Sequence, residues 1–89
     1  MKAVITVIGH DQVGIVATVS QQLAELQVNI TDISQTLMHG EFTMMLMGEW
    51  DENNVKFNVV QQSLTALGQR VGLDIHIQRQ ELFDAIQKL

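Results

Sequence analysis

The segment VIGHDQVGIV, residues 7–16 of this 89-residue chain, is the most informative part of the sequence about its fold. It begins at the end of a run rich in β-branched residues and passes through a polar turn bounded by Gly9 and Gly14. Before the turn the apolar residues are nearly continuous, as in a central strand, and after it they recur at helical spacing. This change of period predicts a buried strand over residues 3–8, the turn itself, and a helix that begins at Ile15.

Two elements follow the turn. The first helix carries its apolar residues on one face, and these are Ile15, Val16, Val19, Leu23 and Leu26. A strand over residues 29–37 comes next, with Ile33 and Leu37 on one face and Ile30 on the other. Because polar side chains occur on both faces, this strand is expected at an edge of the sheet or at an interface.

A hairpin and a second helix come after that strand. His39-Gly40 is expected to form a tight turn, because glycine tolerates a positive φ, and it leads into a strand over residues 42–50. The polar segment 51–54 offers N-cap residues to the second helix. Gly68 stands where the C-cap of that helix is expected.

The last two elements are a strand over residues 71–77 and a short helix. The apolar residues of the short helix share one face and are Leu82, Ile86 and Leu89. The element order predicts one α+β domain over residues 1–89 with a ferredoxin-like βαββαβ fold. In this two-layer sandwich, two helices cover one face of a four-stranded antiparallel sheet, and the short helix closes the chain. The open face is expected to carry Thr43, Met45, Asp74 and His76.

Composition argues against several classes of function. Five Lys and Arg stand against ten Asp and Glu, and no basic cluster occurs, so direct binding of nucleic acid is not expected. The absence of cysteine excludes disulfides and thiolate chemistry. The apolar run near the start is too short for a secretion signal or a membrane span. We therefore expect a cytoplasmic location and no membrane association.

Catalytic and metal-binding patterns are also missing from the sequence. His10, His39 and His76 lack the spacing of metal ligands, so no metal or other cofactor is expected. Ser20 and Ser63 have no base nearby in sequence, and the carboxylates are scattered, so the chain is not expected to be an enzyme. Methionines crowd the hairpin and suit either ordinary core packing or an adaptable interface.

The polar turn is the one candidate binding site. A helix N-terminus offers unpaired N–H groups and a partial positive charge, which suits a carboxylate. Asp11 can either cap the helix or face the ammonium group of a ligand, and the residues alone leave both possibilities open. In the second case the turn would suit an α-amino acid.

The turn and the helix after it resemble those of ACT domains, whose first strand is often followed by Gly-x-Asp-x-x-Gly-Ile-Val. Here Gly9 to Val16 matches that pattern, and Asn29-Ile30 stands at the family's expected place after the helix. The resemblance extends over essentially the whole chain. It is similar in particular to stand-alone ACT proteins and to the N-terminal region of the glycine cleavage system transcriptional repressor.

The resemblance implies a regulatory module that binds an amino acid or related small molecule where two copies of the chain meet side by side. The implied ligand-binding residues are Asp11, Gln12, Val13, Gly14, Ile15 and Val16 from one copy and Asn29 and Ile30 from the other. ACT domains usually regulate an attached enzyme or DNA-binding domain, and the 89 residues are expected to form the ACT-like domain alone. The chain is therefore expected to act in trans on a separate protein partner. The alternative is a protein-interaction or dimerisation module whose ligand site is empty or vestigial.

Overall fold

The computed structural model describes residues 1–87, including all of their side chains except those of Phe83, Ile86 and Gln87. Its elements are β1 (Lys2–His10), α1 (Ile15–Glu25), β2 (Asn29–Met38), β3 (Glu41–Glu49), α2 (Phe57–Val71), β4 (Asp74–Arg79) and α3 (Gln80–Gln87). The four strands form one antiparallel sheet in the order β2-β3-β1-β4. The predicted ferredoxin-like fold is confirmed, with β1 at the centre and with β2 and β4 at the two edges.

The core lies between the sheet and the two longer helices. Alternate residues of β1 and β3 point into it, as the pleat of a strand requires, and each helix contributes one row of residues. The fully buried members of these rows include Ile5, Val7, Met44, Leu46, Val19, Leu23, Val60, Leu64 and Leu67. Trp50 closes one end of the core and donates its indole N–H to the carbonyl of Val55 at 2.9 Å.

The apolar face of α1 is narrower than its sequence predicts. Ile15, Val19 and Leu23 form one i, i+4, i+8 row and are buried. Val16 lies about 100° around the helix from Ile15 and is 37% exposed, and Leu26 is the half-buried C-cap residue. Leu26 packs against the core beside this row, so its predicted place on the apolar face is confirmed. The prediction was wrong for Val16, because α1 packs against the core with a single row.

Strand β2 is an edge strand, as predicted, but the prediction that Ile30 lies on the face opposite to Ile33 was wrong. Ile30 pairs with Gly48 while Asp32 pairs with Met47, so Thr31 is an extra residue in a β-bulge. The bulge places Ile30 on the same helix-facing side as Ile33, and a regular alternation would place them on opposite sides. Residues 31–38 are all exposed, because β2 lies at the edge of the sheet, where α1 reaches it only weakly.

The hairpin between β2 and β3 forms as predicted. His39 and Gly40 have φ angles of 53° and 79°, the two positive values that a type I′ turn requires. The second helix differs from its prediction at both ends. Its N-cap is Lys56, without a side-chain cap, while Asp51 accepts a hydrogen bond from the Asn53 backbone at 2.9 Å in the preceding turn.

Gly68 is an interior residue of α2 and not its C-cap. The helix continues to Val71, which sequence alternation placed in the last strand, and Gly72 ends it with a φ of 76°. A Cβ on Gly68 would lie 2.5 Å from the carbonyl oxygen of Leu73. Glycine at this position therefore serves the close approach of α2 to the chain entering β4.

Helix α3 follows β4 directly and contacts β1 and β4. Val4, which points to the open side of the sheet, is only 2% exposed. Leu82 is 53% exposed; the predictions for the Ile86 side chain and for Leu89 lie outside the described residues. The remaining open face carries the predicted residues Thr43, Met45, Asp74 and His76. No helix within residues 1–87 has the length and apolar character needed to cross a bilayer.

Candidate functional site

The turn between β1 and α1 is fixed to the rest of the fold at two points. The backbone N–H of Asp11 donates to the carbonyl of Gly40, in the β2–β3 hairpin, at 2.8 Å. The side-chain amide of Gln12 donates to the carbonyl of Val71, at the end of α2, at 3.2 Å. These hydrogen bonds place the turn beside the hairpin and leave Val13 fully exposed at its tip.

Asp11 does not cap α1. The N-cap is Gly14, in the left-handed region at φ 85°, and no described side chain accepts a hydrogen bond from the start of the helix. The first turn of α1 also contains no acidic residue. The leading N–H groups of the helix therefore keep their capacity to bind an anion. Asp11, which is exposed, keeps a carboxylate that no helix cap occupies.

The two halves of the predicted site lie at opposite ends of the chain's own sheet. Asn29 pairs with Glu49 at one end of β3, whereas Asp11 follows His10, which pairs with Glu41 at the other end. Eight residues of strand separate these pairs, which corresponds to about 27 Å. Asp11 to Val16 are thus brought together with one another, but Asn29 and Ile30 do not join them within one chain.

The cavity at the turn is small in the single chain. It measures about 30 Å³ and lies between the turn, the start of α1, and the end of α2. Its lining residues are Gln12, Val13, Gly14, Ile15, Thr18, Val71 and Leu73. Small-molecule sites usually enclose about 300–1,000 Å³. One chain by itself therefore offers the floor of a site and not a complete pocket.

Comparison with known proteins identifies the family. A family model described as the ACT domain matches residues 2–78. The chain belongs to the ACT domain family. It is 53% identical to a UPF0237 protein of Listeria innocua over 89 residues, which is the whole of both chains. A UPF0237 protein of Clostridium acetobutylicum is 44% identical, again over the full length of both.

Solved structures agree with this assignment. An ACT domain protein from Streptococcus pneumoniae is 46% identical, with a TM-score of 0.83 over 93% of each chain. A putative glycine cleavage system transcriptional repressor is 27% identical, with a TM-score of 0.78 over 86% of this chain and 44% of that one. ACT domains are in general regulatory modules that bind small molecules, and the family points to a non-catalytic role.

Apolar side chains are exposed on the helix-facing side of β2, next to the turn of this ACT domain. Ile33 and Leu37 point to the helix-facing side of β2 and are 50% and 59% exposed. Val13 and Val16 are exposed near the start of α1. Residues of this kind usually stay buried, and a cluster of them at a strand edge is typical of an interaction surface.

Sequence reasoning missed the contribution of the hairpin to the site. Gly40 supplies the carbonyl that holds Asp11, and Glu41 lies 3.3 Å from the imidazole Nδ1 of His10. Only the pairing of β1 with β3 brings these residues together, and no local sequence signal reports that pairing. Within residues 1–87, no three His, Asp or Glu side chains converge in a way that could hold a metal ion.

The turn conformation makes one prediction about stability. Gly14→Ala is expected to lower the free energy of unfolding by about 1–2 kcal/mol, because a Cβ at φ 85° is strained whatever space surrounds it. Val13→Ala, at the exposed tip of the same turn, should change it by less than about 0.5 kcal/mol. Urea unfolding of both variants checks this. Equal stability of Gly14→Ala and the unaltered chain would contradict the left-handed N-cap.

Proposed function

We propose that this ACT domain is a non-enzymatic regulatory module that binds an amino acid or related metabolite at a homodimer interface and acts on a separate protein partner. One observation carries the proposal: Asp11 and Asn29 lie at opposite ends of the sheet, and the edge strand between them is uncovered. A twofold arrangement of two chains can bring the Asp11 turn of one chain next to Asn29 of the other.

Backbone geometry supports pairing of β2 with a second copy of itself. Met1 and Trp50 exchange both backbone hydrogen bonds, at 2.9 and 3.0 Å, so odd-numbered residues of β1 bond to β3. By the same alternation, Met45 and Thr43 of β3 bond to β2 at Ser34 and Thr36. The N–H and C=O groups of the intervening residues therefore point outward, and these residues are Ile33, Gln35 and Leu37.

Antiparallel pairing through those groups would complete the site. If the twofold axis passes anywhere between Ile33 and Gln35, Asn29 of the partner subunit lies opposite about residues 37–41. This is the hairpin end of β2, where Gly40 holds Asp11. The exposed side chains of Ile33, Leu37 and Val16 would then be covered by the second copy.

The chemistry of the paired segments suits an α-amino acid. The N–H groups at the start of α1 favour a carboxylate, and Asp11 favours an ammonium group close to it. The amide of Asn29 from the second copy could donate and accept hydrogen bonds at the same place. Such binding regulates a partner only if the ligand favours one dimer geometry over another.

A thermal-unfolding panel of the twenty amino acids and common metabolites tests this proposal. A ligand at about 100 times its dissociation constant should stabilise the fold by about 2.7 kcal/mol. Asp11→Asn and Asn29→Ala should each abolish that shift while leaving the unliganded stability within about 0.5 kcal/mol, because both residues are exposed. Asp84→Asn, an exposed carboxylate on α3, is the matched control and should keep the full shift.

Mixing the two variants tests whether the site is shared between chains. In a dimer of Asp11→Asn with Asn29→Ala, one site holds both substitutions and the other holds none. Ligand binding should therefore return on mixing two preparations that are each inactive. If both variants bind alone, the site is misplaced; if mixing restores nothing in a proven mixed dimer, the two segments do not share a site.

A second candidate is a protein-interaction module without a ligand. The small cavity at the turn of the single chain favours it, because about 30 Å³ is far below the roughly 300–1,000 Å³ of small-molecule sites. The two candidates differ in one measurement. A dimer that no compound in the panel stabilises would support the interaction module and contradict the sensor.

A further inference from the structure

The second edge of the sheet, at β4, borders a groove of about 490 Å³ that the proposed dimer leaves uncovered. Helix α2 forms one wall and α3 the other. The lining residues are Phe57, Gln61, His76, Ile77, Gln78, Arg79 and Leu82. Although the chain has ten acidic residues against five basic ones, no carboxylate of the residues that the structure describes lines this groove.

Backbone groups along the groove point away from the sheet. Because odd-numbered residues of β1 bond to β3, the even-numbered ones bond to β4, where they meet Gln78 and His76. The N–H and C=O groups of Ile77, and the N–H of Arg79, are therefore directed into the groove. Among the described residues, none donates to or accepts from these groups outside the strands and helices themselves.

Arg79 gives the groove a positive charge at one end. Its guanidinium lies 5.0 Å from the ring centroid of Phe57, which itself stacks on the buried Trp50. The two ion pairs found among the described residues are His10–Glu41 and His76–Asp74, so Arg79 takes part in neither. Because no carboxylate of the described residues pairs with it, this cation on an aromatic face is available to an anionic group of a binding partner.

We infer that the β4 edge is a docking site for an extended segment of another protein, which adds as an antiparallel strand and places a carboxylate on Arg79. Strand addition supplies the backbone hydrogen bonds that Ile77 lacks, and alternate side chains of the bound segment reach the two walls. Side chains on the α2 wall meet Arg79 and Gln61, and those on the α3 wall meet the exposed Leu82. The favoured segment therefore alternates acidic or polar residues with apolar ones.

This inference rests on the proposed function only in that the chain acts through a partner protein; the groove does not involve the turn or β2. Binding to β4 and binding of an amino acid can consequently fail independently. A second copy of the chain is a different occupant of the same edge, and the test below separates it from a foreign segment.

The probe is the capped peptide Thr-Val-Glu-Val-Thr-Val-Ser, titrated into the ¹⁵N-labelled full chain and followed by amide chemical shifts. The amides of Ile77 and Arg79 should shift, whereas those of Ile33 and Leu37 on the other edge should not. Replacing Glu by Gln in the peptide should weaken binding by up to about fivefold, the upper end of the range for an exposed ion pair. The Arg79→Gln chain should bind both peptides equally, and Arg70→Gln, a matched arginine on α2, should still discriminate.

Backbone methylation checks the mode of binding. In antiparallel addition, the residue opposite Ile77 lies on the same face of the sheet and exchanges backbone hydrogen bonds with Ile77. The Glu of the peptide lies on this face, because its carboxylate meets Arg79, so its N–H points to β4. N-methylation at the Glu should therefore abolish binding. N-methylation at the central Val, whose N–H points to solvent, should leave it intact. Absence of shifts at Ile77 and Arg79 would overturn the inference. Concentration-dependent shifts there without peptide would also overturn it, because they would assign the edge to a second copy.

Discussion

Replacing Ile33 and Leu37 together by lysine is expected to leave the chain monomeric at micromolar concentration. Both side chains are at least half exposed on the helix-facing side of β2, where pairing with a second copy would bury them. Burying unpaired ammonium groups there should cost at least about 3 kcal/mol, more than a hundredfold in the dimer dissociation constant. Sedimentation equilibrium of the unaltered chain and the variant measures the change.

Val59→Lys is the matched control for this prediction. Val59 is a 45% exposed apolar residue on α2, away from the β2 edge, so its replacement should leave the proposed dimer intact. Circular dichroism should show both variants folded, because neither changes a buried residue. A double lysine variant that still dimerises would place the interface elsewhere. A monomer that an amino acid still stabilises would show that one chain suffices for binding.

Gly68→Ala is expected to destabilise the fold by about 1–3 kcal/mol, although the same change inside an ordinary helix stabilises it by up to about 1 kcal/mol. The new Cβ would lie 2.5 Å from the carbonyl oxygen of Leu73, a backbone atom that cannot rotate away. The N–H of Leu73 also donates to the carbonyl of Gly68 at 2.8 Å, which ties the two segments together. Either α2 or the start of β4 must shift to admit the methyl group.

A substitution two residues earlier separates the steric effect of the new methyl group from the effect of helix propensity. Ala66 lies exposed on the same helix, so Ala66→Gly reports helix propensity alone and should cost about 0.5–1 kcal/mol. Chemical denaturation of both variants provides the comparison. If Gly68→Ala were more stable than the unaltered chain, the close approach of α2 to Leu73 would not hold in solution.

The two edges of the sheet suit different occupants. Strand β2 presents apolar side chains beside the turn and favours a second copy of the chain. Strand β4 lies between two helices and carries Arg79, which favours a foreign acidic segment. An ACT domain that pairs through β2 would keep β4 free at both ends of the joined sheet. Sensing and signalling would then use separate surfaces of one small fold.

Local sequence signals predicted an element correctly where its conformation depends only on neighbouring residues. The change of period at Gly9 to Gly14 marks a strand, a turn and a helix, because side-chain direction follows backbone geometry. His39-Gly40 predicts its hairpin because few residues adopt two consecutive positive φ angles. The polar faces of residues 29–37 predicted an edge strand for a similarly direct reason.

The errors arose where a distant contact overrides the local pattern. Gly68 resembles a helix end in sequence, but it is needed where β4 approaches α2, and Gly72 ends the helix. Thr31 forms a bulge only because β3 sets the pairing of β2 on both sides of it. Val16 is partly exposed because the core accepts a single row of α1. None of these contacts can be inferred from neighbouring residues.

The ferredoxin-like order of elements could be predicted from the amino-acid sequence, and so could the turn segment, Asp11 to Val16, that makes up half of the proposed site. Periodicity, turn-forming residues and net charge depend on local geometry and composition, so they can be read without coordinates. Three further facts required the three-dimensional fold: Asn29 lies about 27 Å from that turn, Asp11 is not a helix cap, and Arg79 borders an open edge. These facts depend on strand order and register, which set which distant residues meet.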